Sequence, residues 1–266
     1  MRPTNFLDSP RSVVAMSAIA LGLVSSSSVL AADFQQTSIS ALYGSDREAV
    51  FGGGEFATDV VTIEHFSSTS YGNNFFFFDT ENFTGDTTDI AGGGSEVYGE
   101  YTVAFSYNKL TDGDISIGPL NDISLAFQAN VGGGAGSRVG LVGPQLSFDI
   151  PGFNLFNVQA FWRNDFDAPD HTYQITVSYN SDFSISGNRF VLEGYADWVV
   201  EGNGSTVLGD DHRANANSQP RFLLDIGNYW GEPNKLLVGT EVYLWNNKYG
   251  SDRDEFSPHF FAKWVF

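Results

Sequence analysis

The segment EVYGEYTVAFSYN, from Glu96 to Asn108, alternates apolar and polar side chains along nearly its whole length. Successive side chains of a β-strand point to opposite faces, so this alternation gathers each kind on its own face. The apolar face carries Val97, Gly99, Tyr101, Val103, Phe105 and Tyr107. The opposite face carries Glu96, Tyr98, Glu100, Thr102, Ser106 and Asn108. The segment therefore predicts a strand with one apolar side and one hydrogen-bonding side.

Further segments repeat this alternation, namely ISLAFQANV (Ile123–Val131), FNVQAFWR (Phe156–Arg163) and HTYQITVSYN (His171–Asn180). Each is about ten residues long, which is the length that a tilted strand needs to cross a membrane. Turn-forming residues stand between them, in TDGD (111–114), VGGGAGS (131–137), IPGFN (150–154) and GEPN (231–234). The longer polar stretch 201–219 predicts an outer loop.

The composition agrees with a membrane barrel. Mean hydropathy is slightly negative at −0.14, while 15% of the residues are aromatic and 29 are glycine. Strands with alternating lipid-facing and lumen-facing residues have a mean hydropathy near zero, whereas a membrane helix has a strongly positive one. We predict an all-β, closed, antiparallel transmembrane β-barrel, a single domain over residues 32–266. At about 19 residues per strand and turn, this range predicts about 12 strands. For residues 32–58 the sequence predicts either a plug or a first strand.

The first 31 residues have the features of an export signal. Arg2 and Arg11 flank a basic leader, and VVAMSAIALGLV (Val13–Val24) is an apolar run. Small residues follow in SSSSVLAAD, so we place the cleavage after Ala31 or one residue later. The alternative is a retained anchor, but the apolar run is shorter than the ~18 residues that a spanning helix needs.

Charge and cysteine content exclude several functions. The chain has 13 Lys and Arg against 32 Asp and Glu, a net charge of −19, which repels nucleic acid. It contains no cysteine, so thiol chemistry and disulfides are excluded. The four histidines are scattered without the spacing of metal ligands. We therefore expect no metal and no cofactor.

The chain ends in SPHFFAKWVF, in which Phe260, Ala262, Trp264 and Phe266 share one strand face. A last strand with a terminal aromatic residue resembles the C-terminal signal by which bacterial outer-membrane proteins are recognised for assembly. This ending predicts the bacterial outer membrane as the location, with outer-membrane lipid and the barrel assembly machinery, through Phe266, as partners.

A run of four phenylalanines stands in YGNNFFFFD (Tyr71–Asp79). Alternation sends Phe76 and Phe78 to one face and Phe75, Phe77 and Asp79 to the other. A charge facing lipid at mid-bilayer costs a few kcal/mol, so Asp79 is expected to turn its face to the lumen. Phe75 and Phe77 would then line the pore, where a flat ring can stack on them. The alternative is that all four rings simply pack.

Several blocks resemble the nucleoside-specific channel-forming porins, the Tsx-type family. They are YGNNFFFFD, YNKLTDGDISIGPLNDISL (107–125), DIPGFNLFN (149–157), EGYADW (193–198) and QPRFLLDIGNYWGEPNKLLVGTEVYLWNNKYG (219–250). The likeness runs from about Asp59 to Phe266. It implies a monomeric twelve-stranded barrel whose narrow pore lets nucleosides diffuse across the outer membrane. Members have also served bacteriophages as receptors, so a bacteriophage is a further partner that the resemblance implies.

The hydrogen-bonding strand faces supply the other lumen candidates. As substrate contacts we consider Glu96, Glu100, Arg163, Glu193, Asp197, Glu241, Tyr243 and Trp245; Tyr195, Arg221, Asp225 and Lys263 share these faces. Carboxylates can bind the hydroxyls of a ribose while Tyr243 or Trp245 stacks on the base. The alternative for each charged residue is an ion-pair network that stiffens the barrel. The acidic excess predicts that nucleotides pass less readily than neutral nucleosides.

Rival functions remain open from the sequence. The same fold could serve a less selective porin for another small solute, or an adhesive barrel without conductance. His65 and Ser67 share a strand face, as in an outer-membrane phospholipase, but the segment HFSSTSYG lacks the asparagine-glycine pair that follows in that family. An enzyme is therefore not expected.

Overall fold

The structure, a computed structural model, describes residues 32–49, 54–85, 94–133, 137–166, 171–201 and 213–266. Residues Ala32–Phe266 form one compact unit. The export signal that the sequence predicts over residues 1–31 lies outside the described residues.

The described chain is almost entirely β-sheet. Its strands are β1 Phe34–Glu48, β2 Glu55–Thr69, β3 Gly72–Gly85, β4 Ser95–Ser106, β5 Leu120–Gly132, β6 Ser137–Phe148, β7 Leu155–Asp165, β8 His171–Ile185, β9 Asn188–Val199, β10 Asn215–Ser218, β11 Arg221–Asp225, β12 Leu236–Asn246 and β13 Glu255–Val265. One short α-helix, α1, covers Tyr107–Thr111, and 3₁₀ turns cover Gly227–Trp230 and Lys248–Gly250.

The sheet closes on itself into a barrel. Neighbouring strands of the ring pair antiparallel, and β1 pairs with β13, so the sheet formed by the described strands has no free edge. The short strands β10 and β11 both lie between β9 and β12 and are two halves of one barrel strand. The break falls at Gln219 and Pro220, because proline has no N–H to donate to the ladder. The barrel therefore has twelve strand positions, as the sequence predicts.

The two faces of the barrel differ in chemistry. Exposed apolar side chains cover the outside, among them Ile39, Tyr43, Val61, Phe78, Val97, Phe105, Leu125, Phe127, Val131, Trp162, Ile175, Trp198, Phe222, Phe256 and Phe260. Polar and charged side chains are buried on the inside. Within the described residues, no helix is long and apolar enough to span a membrane.

The barrel has two rims that differ in their connections. One rim, here the N rim, holds the start of β1, the end of β13 and the connections 70–71, 107–119, 149–154, 186–187 and 226–235. The other, the loop rim, is where β1, β3, β5, β7, β9 and β12 end and where β2, β4, β6, β8, β10 and β13 begin.

Some element boundaries differ from the sequence expectation. Tyr107 and Asn108 lie in α1, because the Ser106 hydroxyl accepts the N–H of Lys109 and caps a helical turn. Residues 215–218, expected in an outer loop, form β10. The long strands contain 11 to 15 residues rather than about ten, and Phe34–Glu48 forms the first strand rather than a plug.

Candidate functional site

The inner wall of β3 and β4 carries an aromatic ladder. The register pairs Asp79 with Thr62 and Phe77 with Glu64, and the Thr62 hydroxyl donates to Asp79 at 2.6 Å. The ring centroids of Phe75 and Phe77 lie 6.1 Å apart, and those of Phe77 and Tyr98 6.0 Å apart. The face that carries Asp79 thus turns inward together with Phe75 and Phe77. Phe76 and Phe78 point outward, where Phe78 is exposed.

Glu100 stands at the centre of a hydrogen-bond cluster beside this ladder. The Tyr98 hydroxyl donates to Glu100 at 2.5 Å. The side-chain amides of Gln128 and Asn130, on β5, each donate to a Glu100 oxygen at 2.9 Å. No cation of the described chain lies within ion-pair distance of Glu100, so neutral donors hold this carboxylate.

The wall formed by β7, β8 and β9 carries two more charged candidates. Asp197 accepts a hydrogen bond from the Thr176 hydroxyl at 2.6 Å. Arg163 donates to the Gln174 side-chain oxygen at 2.7 Å. Both charges act on Glu100, so the three groups share one electrostatic environment within the lumen. Glu96 points inward opposite Glu81, with which it pairs across β3 and β4.

An ion-pair network crosses the lumen on the other side. Arg221 contacts Glu241 at 2.6 Å, Glu64 at 3.2 Å and Glu193 at 3.4 Å. Lys263 contacts both Glu64 and Glu193 at 2.8 Å. Three strands, β12, β13 and β1, separate Arg221 on β11 from Glu64 on β2 in the ring. The side chains therefore bridge across the lumen and narrow it, as the ion-pair alternative expects for Glu193 and Glu241.

The space beside this bridge is small. A cavity of about 30 Å³ lies between β1–β3 and β11–β13, lined by Asp79, Arg221 and Glu241 among others. A cavity of this size holds ordered water, and the side chains around it narrow the path along the lumen at this level. An apolar cluster lies beside the cavity on the inner side of the wall. It is formed by Leu42, Val60, Val191, Leu223, Leu237 and Phe261. The bridge and this cluster form the constriction of the barrel.

Tyr243 and Trp245 lie on β12 toward the loop rim. The Arg47 guanidinium lies over the Tyr243 ring, 3.7 Å from its centroid. Trp245 lies 4.7 Å from the ring of Tyr249, in the turn between β12 and β13. Lys248 of this turn folds inward, where burial and the neighbouring Arg47 lower its pKa to about 8.

All the substrate candidates that the sequence singles out lie on the inner face, but the structure brings them into separate groups. Phe75, Phe77 and Asp79 join Glu100, whereas Glu193 and Glu241 are neutralised by cations. Sequence reasoning missed several inner residues, namely Arg47, Glu64, Asn217, Tyr249, Lys248 and Glu255. The alternation in VVTIEHF could have identified Glu64, because it is out of phase with Val61 and Ile63.

The rival hydrolase geometry does not assemble on the outer face. His65 Nδ1 shares a hydrogen bond with the Thr37 hydroxyl at 2.7 Å. The Ser67 hydroxyl accepts a long bond, 3.5 Å, from the Asn74 amide. Within the described residues, no hydrogen bond joins Ser67 to His65, so no base is placed to activate the serine. The same residues contain no group of three or more His, Asp or Glu that could hold a metal ion.

Comparison with known proteins gives structural neighbours only. No protein-family model matches the chain, and no curated protein matches it. Among solved structures, the chain is similar to a KdgM porin, at 7% identity and a TM-score of 0.49, over 86% of this chain and 99% of that one. A KdgM porin in complex with disordered oligogalacturonate gives 8% identity and a TM-score of 0.45, over 88% and 99%. The translocator domain of autotransporter NalP from Neisseria meningitidis gives 10% identity and a TM-score of 0.35, over 96% and 95%. With TM-scores below 0.5, these similarities identify no solute.

Proposed function

We propose that this protein is an outer-membrane channel through which small neutral solutes diffuse passively, and that nucleosides are its substrate. The observation that carries the proposal is the closed barrel, apolar outside and charged inside. A closed sheet leaves no backbone amide unpaired, so its apolar exterior can face lipid. Carboxylates, amides and a few cations line the interior. A polar lining of this kind is typical of a barrel whose lumen is filled with water and open to polar solutes.

The inner wall offers the two kinds of contact that a nucleoside needs. Phe75, Phe77 and Tyr98 present rings on which a base can stack, an interaction worth about 1–3 kcal/mol per base in other systems. Glu100 and Asp197 present oxygens to the hydroxyls of a sugar. The resemblance of the sequence to the nucleoside-specific porins supports the same substrate.

The charges of the lumen favour neutral over anionic solutes. Arg221 and Lys263 are matched by three glutamates, while Asp79, Glu100 and Asp197 have no cation of the described chain within 4 Å. An anion entering this lumen meets uncompensated negative charge. For this reason we do not extend the oligogalacturonate of the KdgM complex to this chain, and we expect nucleotides to pass poorly.

The remaining partners follow from the same proposal. The chain is exported by its N-terminal signal, assembled through its C-terminal strand and inserted into outer-membrane lipid as a monomer. Its loop rim faces outward and is the part that a bacteriophage would meet. The second candidate function is a less selective porin for another small solute, because the same barrel and polar lumen would serve it equally well.

Liposome swelling distinguishes these functions. Vesicles that contain the purified protein are placed in iso-osmotic adenosine, thymidine, a pentose or adenosine monophosphate. The proposal predicts swelling in the nucleosides that is faster than in the smaller pentose, and slow swelling in the nucleotide. Rates that follow solute size alone would favour the less selective porin, and no swelling in any solute would contradict a channel.

A further inference from the structure

The short helix α1 and the outer wall of the barrel enclose a groove at the N rim, here the outer groove. Its volume is about 480 Å³, within the range of small-molecule sites. Apolar side chains of α1 and of strands β4, β5 and β6 form its sides, namely Phe105, Tyr107, Leu110, Ile123, Leu125 and Pro144. The outside of a barrel is convex, so a concave apolar site of this size is a distinct feature of the surface.

Hydrogen bonds to the start of β5 hold α1 in this position. The Asn108 backbone N–H donates to the Asp122 carboxylate at 3.2 Å, and the Asn108 side-chain amide donates to the Asn121 carbonyl at 2.9 Å. The Asn108 side-chain oxygen accepts the Ile115 N–H at 2.8 Å, which ties the chain after the helix back to it. The outer groove is therefore formed before any ligand enters it.

The lining of the outer groove presents carbon to a ligand. Its two hydroxyls are already used, because Thr111 donates to the Tyr107 carbonyl at 2.7 Å and Ser124 donates to Asp122 at 3.3 Å. Pro144 has no N–H to offer. This lining fits a hydrocarbon chain, since a polar ligand would lose its hydrogen bonds to water there without replacement.

The outer groove opens onto the face of the barrel that meets lipid in the proposed function. Phe105 and Leu125 line the groove and also belong to the exposed apolar face of β4 and β5. The groove lies at the N rim, opposite the loop rim that faces outward, so it lies in the periplasmic leaflet. A phospholipid acyl chain is therefore the hydrocarbon that meets the groove.

The edge of the outer groove carries negative charge. Asp112 and Asp114 are exposed in the turn that ends α1. Gly113 between them packs against the groove, because a Cβ added there would lie 2.8 Å from the Tyr107 ring. Lys109, the one cation of the connection 107–119, points away to the Ser68 hydroxyl and the Thr69 carbonyl. This edge complements a cationic headgroup.

We propose that the outer groove is a binding site for a phospholipid whose headgroup carries a primary ammonium, such as phosphatidylethanolamine. One acyl chain lies in the groove under α1, and the ammonium lies at Asp112 and Asp114. The inference rests on the proposed function, because it needs the barrel to stand in a membrane.

Native mass spectrometry of the delipidated protein in detergent tests the site. Phosphatidylethanolamine added in increasing amounts should fill one site of the wild type before all others. Leu110→Glu places a charge in the groove and should lower the occupancy of this first site about fivefold or more. Ile185→Glu is the matched control and should bind as the wild type does, because Ile185 is exposed at the N rim to a similar degree as Leu110, 53% against 58%, and lies outside the groove.

Two results would overturn the groove as a lipid site. One is equal first-site occupancy in the wild type and in Leu110→Glu. The other is a wild-type dimer that Leu110→Glu dissociates, because a second copy of the chain would then cover the groove.

The headgroup is tested by comparing two lipids with the same acyl chains. The wild type should bind phosphatidylethanolamine about threefold more tightly than phosphatidylglycerol, as expected for exposed ion pairs. Asp112→Asn combined with Asp114→Asn should remove this preference and keep the acyl chain bound; asparagine tolerates the left-handed φ of 53° at position 112. Tighter binding of phosphatidylglycerol, or an unchanged preference in the double variant, would overturn the ammonium headgroup.

Liposome swelling separates this inference from the proposed function. Leu110 lies outside the lumen, so Leu110→Glu should swell in nucleosides as the wild type does. A wild type that swells liposomes but shows no preferred lipid leaves the channel intact and overturns the groove site. A wild type that binds the lipid as predicted but neither conducts ions nor swells liposomes supports the groove site and contradicts the channel.

Discussion

The ion-pair bridge across the lumen leads to a strong prediction for Lys263→Met. Lys263 is 2% exposed and contacts Glu64 and Glu193 at 2.8 Å each. At an effective dielectric constant of about 20, each contact contributes about 6 kcal/mol of attraction before the cost of desolvation. Methionine fills similar space but leaves the two carboxylates without this cation.

The magnitude follows from what remains after the substitution. Removing one partner of a buried ion pair costs about 3–5 kcal/mol, because a buried charge is left uncompensated. Arg221 still contacts both carboxylates, at 3.2 and 3.4 Å. We therefore expect the lower end, a loss of about 3 kcal/mol in the free energy of unfolding.

Urea unfolding of the barrel in phospholipid vesicles measures this loss. Lys109→Met is the control, because the Lys109–Asp33 pair at the N rim is exposed and worth about 0.2–1 kcal/mol, and the other contacts that the substitution removes are hydrogen bonds to the Ser68 hydroxyl and the Thr69 carbonyl. Adding Glu193→Gln to Lys263→Met should restore part of the stability, since it removes one uncompensated charge. A Lys263→Met variant that unfolds at the same urea concentration as Lys109→Met would refute the bridge.

Further predictions concern solute passage and the turn at the mouth. Phe77→Ala should slow nucleoside-dependent swelling severalfold while Phe78→Ala, on the outer face, should not; equal rates in all three proteins would reject stacking on the ladder. Glu100→Gln should raise the relative permeability to anions in planar bilayers, seen as a shift in reversal potential, and an unchanged potential would remove Glu100 from the selectivity of the lumen. Lys248 has a pKa of about 8 in the folded turn against 10.5 in solvent, so the free energy of unfolding should rise as the pH rises from 8 to 10.5, by at most about 1.4 kcal/mol per pH unit. Urea unfolding should show this rise in the wild type and not in Lys248→Arg, and a free energy of unfolding that falls over this range would contradict the buried position of Lys248.

The faces of the strands could be predicted from the sequence because they depend on local periodicity. Alternation assigns Val97 and Glu100 to opposite faces without knowledge of the partner strands, and the charge of Asp79 settles which side of the phenylalanine run faces inward. The strand count followed from the length of the chain, at about 19 residues per strand and turn. These features lie within single strands.

Contacts across the lumen could not be predicted, because they depend on closure. Glu64 and Arg221 are 157 positions apart, and only the pairing of β1 with β13 brings them together. The inward fold of Lys248 has no periodic signal either, since it depends on Glu255 of the next strand. The sequence does not predict that β10 and β11 share one strand position. Pro220 interrupts the alternation between them, so the two segments do not look like one strand.

The most direct test of the central claim is a single-channel recording of the purified mature protein in a planar bilayer, with uridine as a blocker. The account predicts discrete current steps, a preference for cations over anions, and a concentration-dependent reduction of the open current by uridine. A protein that stays soluble without detergent and gives no current steps would contradict it.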